Sequence, residues 1–178
     1  MRPKFHAFPL MLACALAASQ ALAEPEPALQ LQSKPVLTMA LAQKMAMACV
    51  KQQRDTNGLS VAIAIYDDGA KLIYFLSMDG TSSGTGTTAM AKGESSARFR
   101  TPSGEIAKWV QSNPAVGHVP GLLGVRGGLP VRTSSGKPLG GIGVSGAPSE
   151  VDEKCAQAGI DAIAPELRDE GSTSAGKS

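Results

Sequence analysis

The segment GIGVSG, Gly141 to Gly146, matches the G-x-G-x-x-G of a dinucleotide loop, and Asp161 lies about twenty positions past its first glycine. Such a loop must end one strand, open a helix and lead to a second parallel strand that carries the ribose-binding acid. Here only one helix is expected after the motif, and Asp161 falls inside it. The segment also alternates Ile142 and Val144 with Gly141, Gly143 and Ser145, as a strand does. Glycines in a central strand mark close approach by another backbone or by a ligand, so the motif is read as a glycine-rich strand. Nucleophile chemistry fares no better. GVSGA misses the G-x-S-x-G elbow by one position, and only His118 could serve a serine once the N-terminal segment is removed. Asp67 and Asp68 are adjacent on a turn, where neighbouring side chains point apart. With no CxxC and no Cys/His cluster, no zinc site follows from familiar spacings.

Processing and charge narrow the field further. Arg2, Lys4 and His6 precede the apolar run FPLMLACALAAS, and Ala21-Leu22-Ala23 suits cleavage before Glu24. Residues 1–23 are thus expected to be a signal peptide, sending the protein to the periplasm or outside the cell. A lipobox ending at Cys14 is the rival reading, weakened by the short apolar stretch before it. The chain carries 17 basic and 15 acidic residues, and loss of Arg2 and Lys4 leaves the two signs equal. A neutral mature chain has no electrostatic reason to seek nucleic acid or an anionic membrane. Cys49 and Cys155 remain, in a compartment that permits disulfides.

Residues 24–36 read as a proline-rich flexible leader. Thr38 should cap a helix with Leu37, Leu41, Met45, Ala48 and Cys49 at helical spacing, ending near Asn57-Gly58 with the glycine left-handed. LSVAIAIY follows as a strand, its small Ser60, Ala62 and Ala64 leaving room for a close helix. The turn at 67–70 returns KLIYFLS as a second strand. TSSGTGTT is expected as a flexible loop, then a helix from Thr88 to Phe99 and another through Trp109. Residues 112–121 read as loop. LLGV, LPVR and LGGIGV are three further strands, with turns at 126–128 and 133–137. Ser149-Glu150-Val151-Asp152 reads as a capping box for a last helix to about Ala164, with Pro165 behind it. The domain is therefore set at 37–165 and a disordered tail at 166–178.

Four stretches in this order resemble one family. VAIAIYDDGAKLIYFLSMDG resembles the hairpin and Asp-Gly step of the GlcG/HbpS-like haem-binding, or haem-degrading, family. AMAKGESSARFRTPS is similar to its lysine-bearing helix, with Gly93 where alanine is common. VPGLLGVRGGLPV resembles its double-glycine turn, and GKPLGGIGVSGAPSEVDEKCAQAGIDAI its closing strand and helix. The resemblance spans roughly Thr38 to Ile163. It implies an α+β, profilin-like domain: an antiparallel five-stranded sheet with helices packed on both faces. It also implies homo-oligomers and haem, or more broadly a tetrapyrrole, as ligand, while some members bind small hydroxy acids.

Within that frame the candidate ligand-binding residues are Asp79, Lys92, His118, Arg126, Gly127 and Gly128. Asp79 follows Met78 where the second strand exits. Lys92 could meet a propionate or another carboxylate. Arg126 beside the Gly127-Gly128 amides could form an anion nest. Histidine is the commonest haem ligand, which puts His118 first as the metal-binding residue, with Met78, Tyr66 and Tyr74 behind it. Aromatic residues are few, so a shallow or interfacial site is expected. Because the implied fold packs the first and last helices on one face, Cys49 and Cys155 are expected to form a disulfide. A secreted haem carrier or buffer leads. A binder of, or enzyme on, a small carboxylic or hydroxy acid is the alternative, followed by a structural oligomer.

Overall fold

The computed structural model describes residues 34–169. The expected signal peptide, most of the leader and residues 170–178 of the tail lie outside them.

Thr38 caps α1 (Met39–Asp55), its side chain accepting from the Leu41 N–H at 3.3 Å. Of the expected stripe, Leu37, Met45 and Cys49 are buried and Leu41 and Ala48 half-buried, while Ala42, Ala46 and Val50 complete the buried face. At its end the left-handed residue is Asn57 (φ 48°), not Gly58. A Cβ on Gly58 would meet the end of the Gln53 side chain, which would have to move aside.

The strands β1 (Ala62–Asp67), β2 (Leu72–Ser77), β3 (Gly128–Arg132) and β4 (Pro138–Ser145) form one antiparallel sheet of order β2-β1-β4-β3. Among the described residues it has four strands, not five. The expected strand LLGV makes no ladder, because two helical serines take its backbone groups instead. Ser95 Oγ accepts from the Leu123 N–H (2.9 Å), and Ser103 Oγ donates to the Val125 carbonyl (2.6 Å). Serines thus satisfy backbone groups that a fifth strand would have paired.

Helices cover both faces. Val61, Ile63, Ile65, Ile142 and Val144 pack with Met45, Cys49 and Cys155 on the side of α1 and α4 (Ser149–Ala162). Ala62, Ala64 and Tyr66 face α2 (Ser83–Phe99) together with Ala89 and Ala97. On that face the glycines of GIGVSG find their reason. A Cβ on Gly141 would stand 2.7 Å from the Ala97 nitrogen and the Gly93 oxygen, and one on Gly143 would overlap α2 backbone outright. Strand and helix backbones touch, and no nucleotide loop is formed.

Three boundaries differ from the sequence reading. α2 begins at Ser83, within the expected flexible loop, with Thr85 buried and the Phe75 ring 3.1 Å from where a Gly86 Cβ would stand. After α3 (Ser103–Ser112) the expected loop contains a 3₁₀ turn, Pro114–His118. The chain beyond Pro165 is held against the 133–137 turn, where Ser134 N–H donates to the Leu167 carbonyl (2.7 Å) and Ser135 N–H to Asp169 (2.9 Å).

Cys49 and Cys155 are bonded, with Cα atoms 4.7 Å apart. Gly159 packs on the Met45 carbonyl, so one turn onward in α4 meets one turn back in α1. The two helices run antiparallel, as the pairing required.

Candidate functional site

The sequence directs attention first to the double-glycine turn. Lys92 projects from α2 into the interior, where it is 2% exposed. Its ammonium donates to Asp152 Oδ2 and to the Val144 carbonyl, each at 2.9 Å. Asp152 comes from the first turn of α4, and its second oxygen accepts from the Ala147 N–H at 3.0 Å. The expected capping box does not form: Ser149 is already helical, Pro148 occupies the cap position, and Asp152 reaches back past it to Ala147. Burial holds the Asp152 carboxyl above its ordinary range, outweighing the hydrogen bond and charge of Lys92 and the Ala147 N–H. The carboxylate that Lys92 meets is the protein's own.

Gly127 and Gly128 are buried against this pair. Gly127 has φ 119°, and a Cβ on it would lie 2.8 Å from Lys92 Nζ and from the Val144 carbonyl oxygen. The Gly128 N–H donates to Ser103 Oγ at 2.8 Å, and the Gly127 carbonyl accepts from the Val144 N–H at 2.9 Å. The expected open anion nest is filled by the protein's own groups. Arg126 does reach the surface, on a cleft of about 390 Å³, but lies 3.6 Å from Glu150 and 3.5 Å from Glu153.

His118 ends the 3₁₀ turn and is exposed. Its neighbours Val119 and Pro120 border a cleft of about 450 Å³ with Arg98 and Phe99, but the histidine does not line it. Arg98 is paired with Glu94 at 2.8 Å. Among the described residues no group of three or more His, Cys, Asp or Glu side chains is placed to hold a metal ion. Tyr66 is buried, and burial with the nearby Glu94 charge raises its pKa against the opposing effect of Arg98, so its phenolate form is disfavoured. Tyr74 packs against the core.

Asp79 belongs to a different place. It lies at the exit of β2, where Gly80 (φ 83°) turns the chain and Ser60 Oγ donates to the Asp79 carbonyl at 2.6 Å. Between β2 and the second half of α1 runs a cleft of about 280 Å³, walled by Met47, Val50, Leu76 and Met78, with Arg54 and Asp79 on its polar side. Neither Arg54 nor Asp79 forms an ion pair with another described residue. Met47, Val50 and Arg54 recur at helical spacing, a signal present in the sequence but masked by the stronger core stripe of the same helix. The structure thus brings Lys92, Gly127, Gly128 and Arg126 together around Asp152, and leaves Asp79 and His118 apart from them.

Comparisons with known proteins bear on what these places do. Residues 37–161 match the family model described as haem-degrading protein HbpS-like. A crystal structure of a double mutant of Streptomyces reticuli HbpS is 33% identical with a TM-score of 0.70, spanning 79% of this chain and 97% of that one. Klebsiella pneumoniae ORFY is 27% identical with a TM-score of 0.67, spanning 76% and 97%. PduOC in complex with haem is 22% identical with a TM-score of 0.66, spanning 72% and 96%, a likeness of fold. No curated protein sequence matches.

Proposed function

The chain belongs to the haem-degrading protein HbpS-like family, and from that membership we propose that it binds haem, or a related tetrapyrrole, as a secreted carrier or buffer. One observation carries the reading: the family match runs over 37–161, which takes in nearly all of the described domain. That PduOC, of the same fold, is described as a complex with haem supports it. The signal-like N-terminus and the Cys49–Cys155 bond fit an oxidising compartment outside the cytoplasm. The described clefts, at about 280 to 450 Å³, reach only the lower part of the roughly 300–1,000 Å³ range of enclosing ligand pockets. Haem would therefore lie partly exposed, or be covered by a second copy of the chain.

Exposed Trp109, with Leu72 and Phe75 on the edge strand β2, supports a symmetric homo-oligomer. Light scattering should then give a multiple of the chain mass, and a monomer at micromolar concentration would overturn the oligomer. Titration of the purified protein with haemin, followed at the Soret band, tests the ligand. A saturable shift is expected, and a spectrum identical to free haemin would contradict the reading. A second reading, a small hydroxy acid as ligand, is favoured by one observation: Arg54 and Asp79 share a cleft and could take a carboxylate and a hydroxyl respectively. Calorimetry with short hydroxy acids discriminates the two.

A further inference from the structure

We infer that the tetrapyrrole docks at the cleft between α1 and β2, with the Met78 thioether as the iron ligand and Arg54 paired to a propionate; this rests on the haem-binding reading above.

Three observations converge on this cleft. The first is charge. Of the arginines lining the described clefts, Arg126 faces Glu150 and Glu153, and Arg98 faces Glu94. Arg54 alone of the three has no acidic partner among the described residues, which leaves its guanidinium for a carboxylate in bidentate geometry.

The second is the supply of iron ligands. Haem iron is held by His, Met, Cys or Tyr. Both described cysteines are in the disulfide. Tyr66 is buried with its proton held more tightly than usual, and Tyr74 packs on the core. His118 lines none of the described clefts. Met45 is fully buried in the core. Met78 and Met47 therefore supply the donors that line a described cleft, and a neutral thioether ligates without losing a proton.

The third is rigidity, which favours Met78 over Met47. The Met78 N–H donates to the carbonyl of Val61, the residue before β1, at 3.0 Å, and its carbonyl accepts from the Thr81 N–H at 3.3 Å. Its side chain is half-buried against the core. Met47 is 45% exposed on a helix surface. Val50 and Leu76 supply an apolar wall beside Met78 for part of one face of the macrocycle, since about 280 Å³ does not hold the whole ring.

The test is a haemin titration of the full chain and three variants, read at the Soret band, with circular dichroism melts to establish folding. Met78→Leu conserves volume and should fold. It is expected to move the Soret maximum, remove the weak long-wavelength absorption of a sulfur–iron bond, and weaken binding at least tenfold. Arg54→Gln alters an exposed side chain and should weaken binding several-fold while leaving the iron spectrum unchanged. His118→Ala should behave as the unaltered chain. If the unaltered protein binds haemin but Met78→Leu and Arg54→Gln match it in spectrum and affinity, the cleft assignment is overturned and the haem reading stands. A loss of binding in His118→Ala alone would likewise overturn it. If the unaltered protein shows no saturable binding, the haem reading fails and the site assignment with it.

Discussion

The double-glycine turn and the α1–β2 cleft are built from similar parts. Each sets an arginine near an acidic residue, with a glycine at positive φ close by. They differ in whether those parts already have partners. At the turn, Lys92 is closed onto Asp152 and Val144, Gly127 and Gly128 press on the pair, and Arg126 faces two glutamates. At the cleft, Arg54 and Asp79 have no ionic partner among the described residues, and methionines line the apolar wall. A charged side chain marks a ligand site only where the fold leaves it unsatisfied. On the reading proposed above, the turn is a structural lock and the cleft is the surface that takes the ligand.

Because the disulfide joins the helices that serve these two places, its loss should have the largest effect. Cys155 lies three residues after Asp152 on α4, and Cys49 precedes Val50 on α1. The bond closes a separation of 106 residues, for which the loop-entropy account gives about 4 to 5 kcal/mol. Replacing both cysteines by alanine should lower denaturant stability by that amount, while an equal midpoint would show the unfolded chain gains no freedom from its absence. Thiol titration of the unfolded, unreduced native protein should find neither cysteine free.

Next in size is the lock itself. Lys92→Met leaves the Asp152 carboxylate buried without its cation and should cost about 3 to 4 kcal/mol in urea or guanidinium unfolding. Haemin affinity of the folded fraction should not change, and a parallel fall would mean that the turn belongs to the ligand site after all. The same pair sets a pH dependence. Since burial raises the native pKa of Asp152, folding takes up protons between the ordinary carboxylate range and that raised value. Its contribution to stability is greatest below this window and declines as pH rises through it. Asp152→Asn should therefore remove a falling slope from the stability–pH profile, and an unchanged or steeper slope would contradict the sign.

Gly127→Ala should cost about 2 to 3 kcal/mol, since it strains a backbone at φ 119° and drives a methyl against Lys92 and the Val144 carbonyl. The smallest effect belongs to Arg126→Gln. Its two ion pairs are long and at the surface, and stability should change by less than about 1 kcal/mol. A large loss of haemin affinity in this variant would move the site back to the turn.

Much of this arrangement was legible in the residues. The alternation of small and branched side chains in LSVAIAIY and LGGIGV announced a helix lying close on one face, and Gly93, Gly141 and Gly143 make that contact. The disulfide followed once the implied fold placed both helices together. What stayed hidden depends on partners distant in sequence. Nothing around Lys92 announces an aspartate 60 residues later, so its helix reads as solvated when the lysine is buried. LLGV has strand composition, but hydroxyls from Ser95 and Ser103 take its backbone groups. The start of α2 was obscured by Gly84 and Gly86, weak helix formers in isolation, which the Phe75 ring on β2 helps to cover. An exposed arginine near a helix end carries no signal in the sequence, and only the folded chain sets Arg54 beside Met78 and Asp79.

The contrast between lock and cleft can be read in one measurement. Titrating isotopically labelled protein with diamagnetic gallium protoporphyrin, and following backbone amide resonances, maps contact residue by residue without disturbing either region. Resonance shifts should concentrate at residues 47–54 and 76–80, with amides 126–128 and 152 unmoved. Shifts centred on residues 118–128, with the α1–β2 cleft silent, would contradict the account.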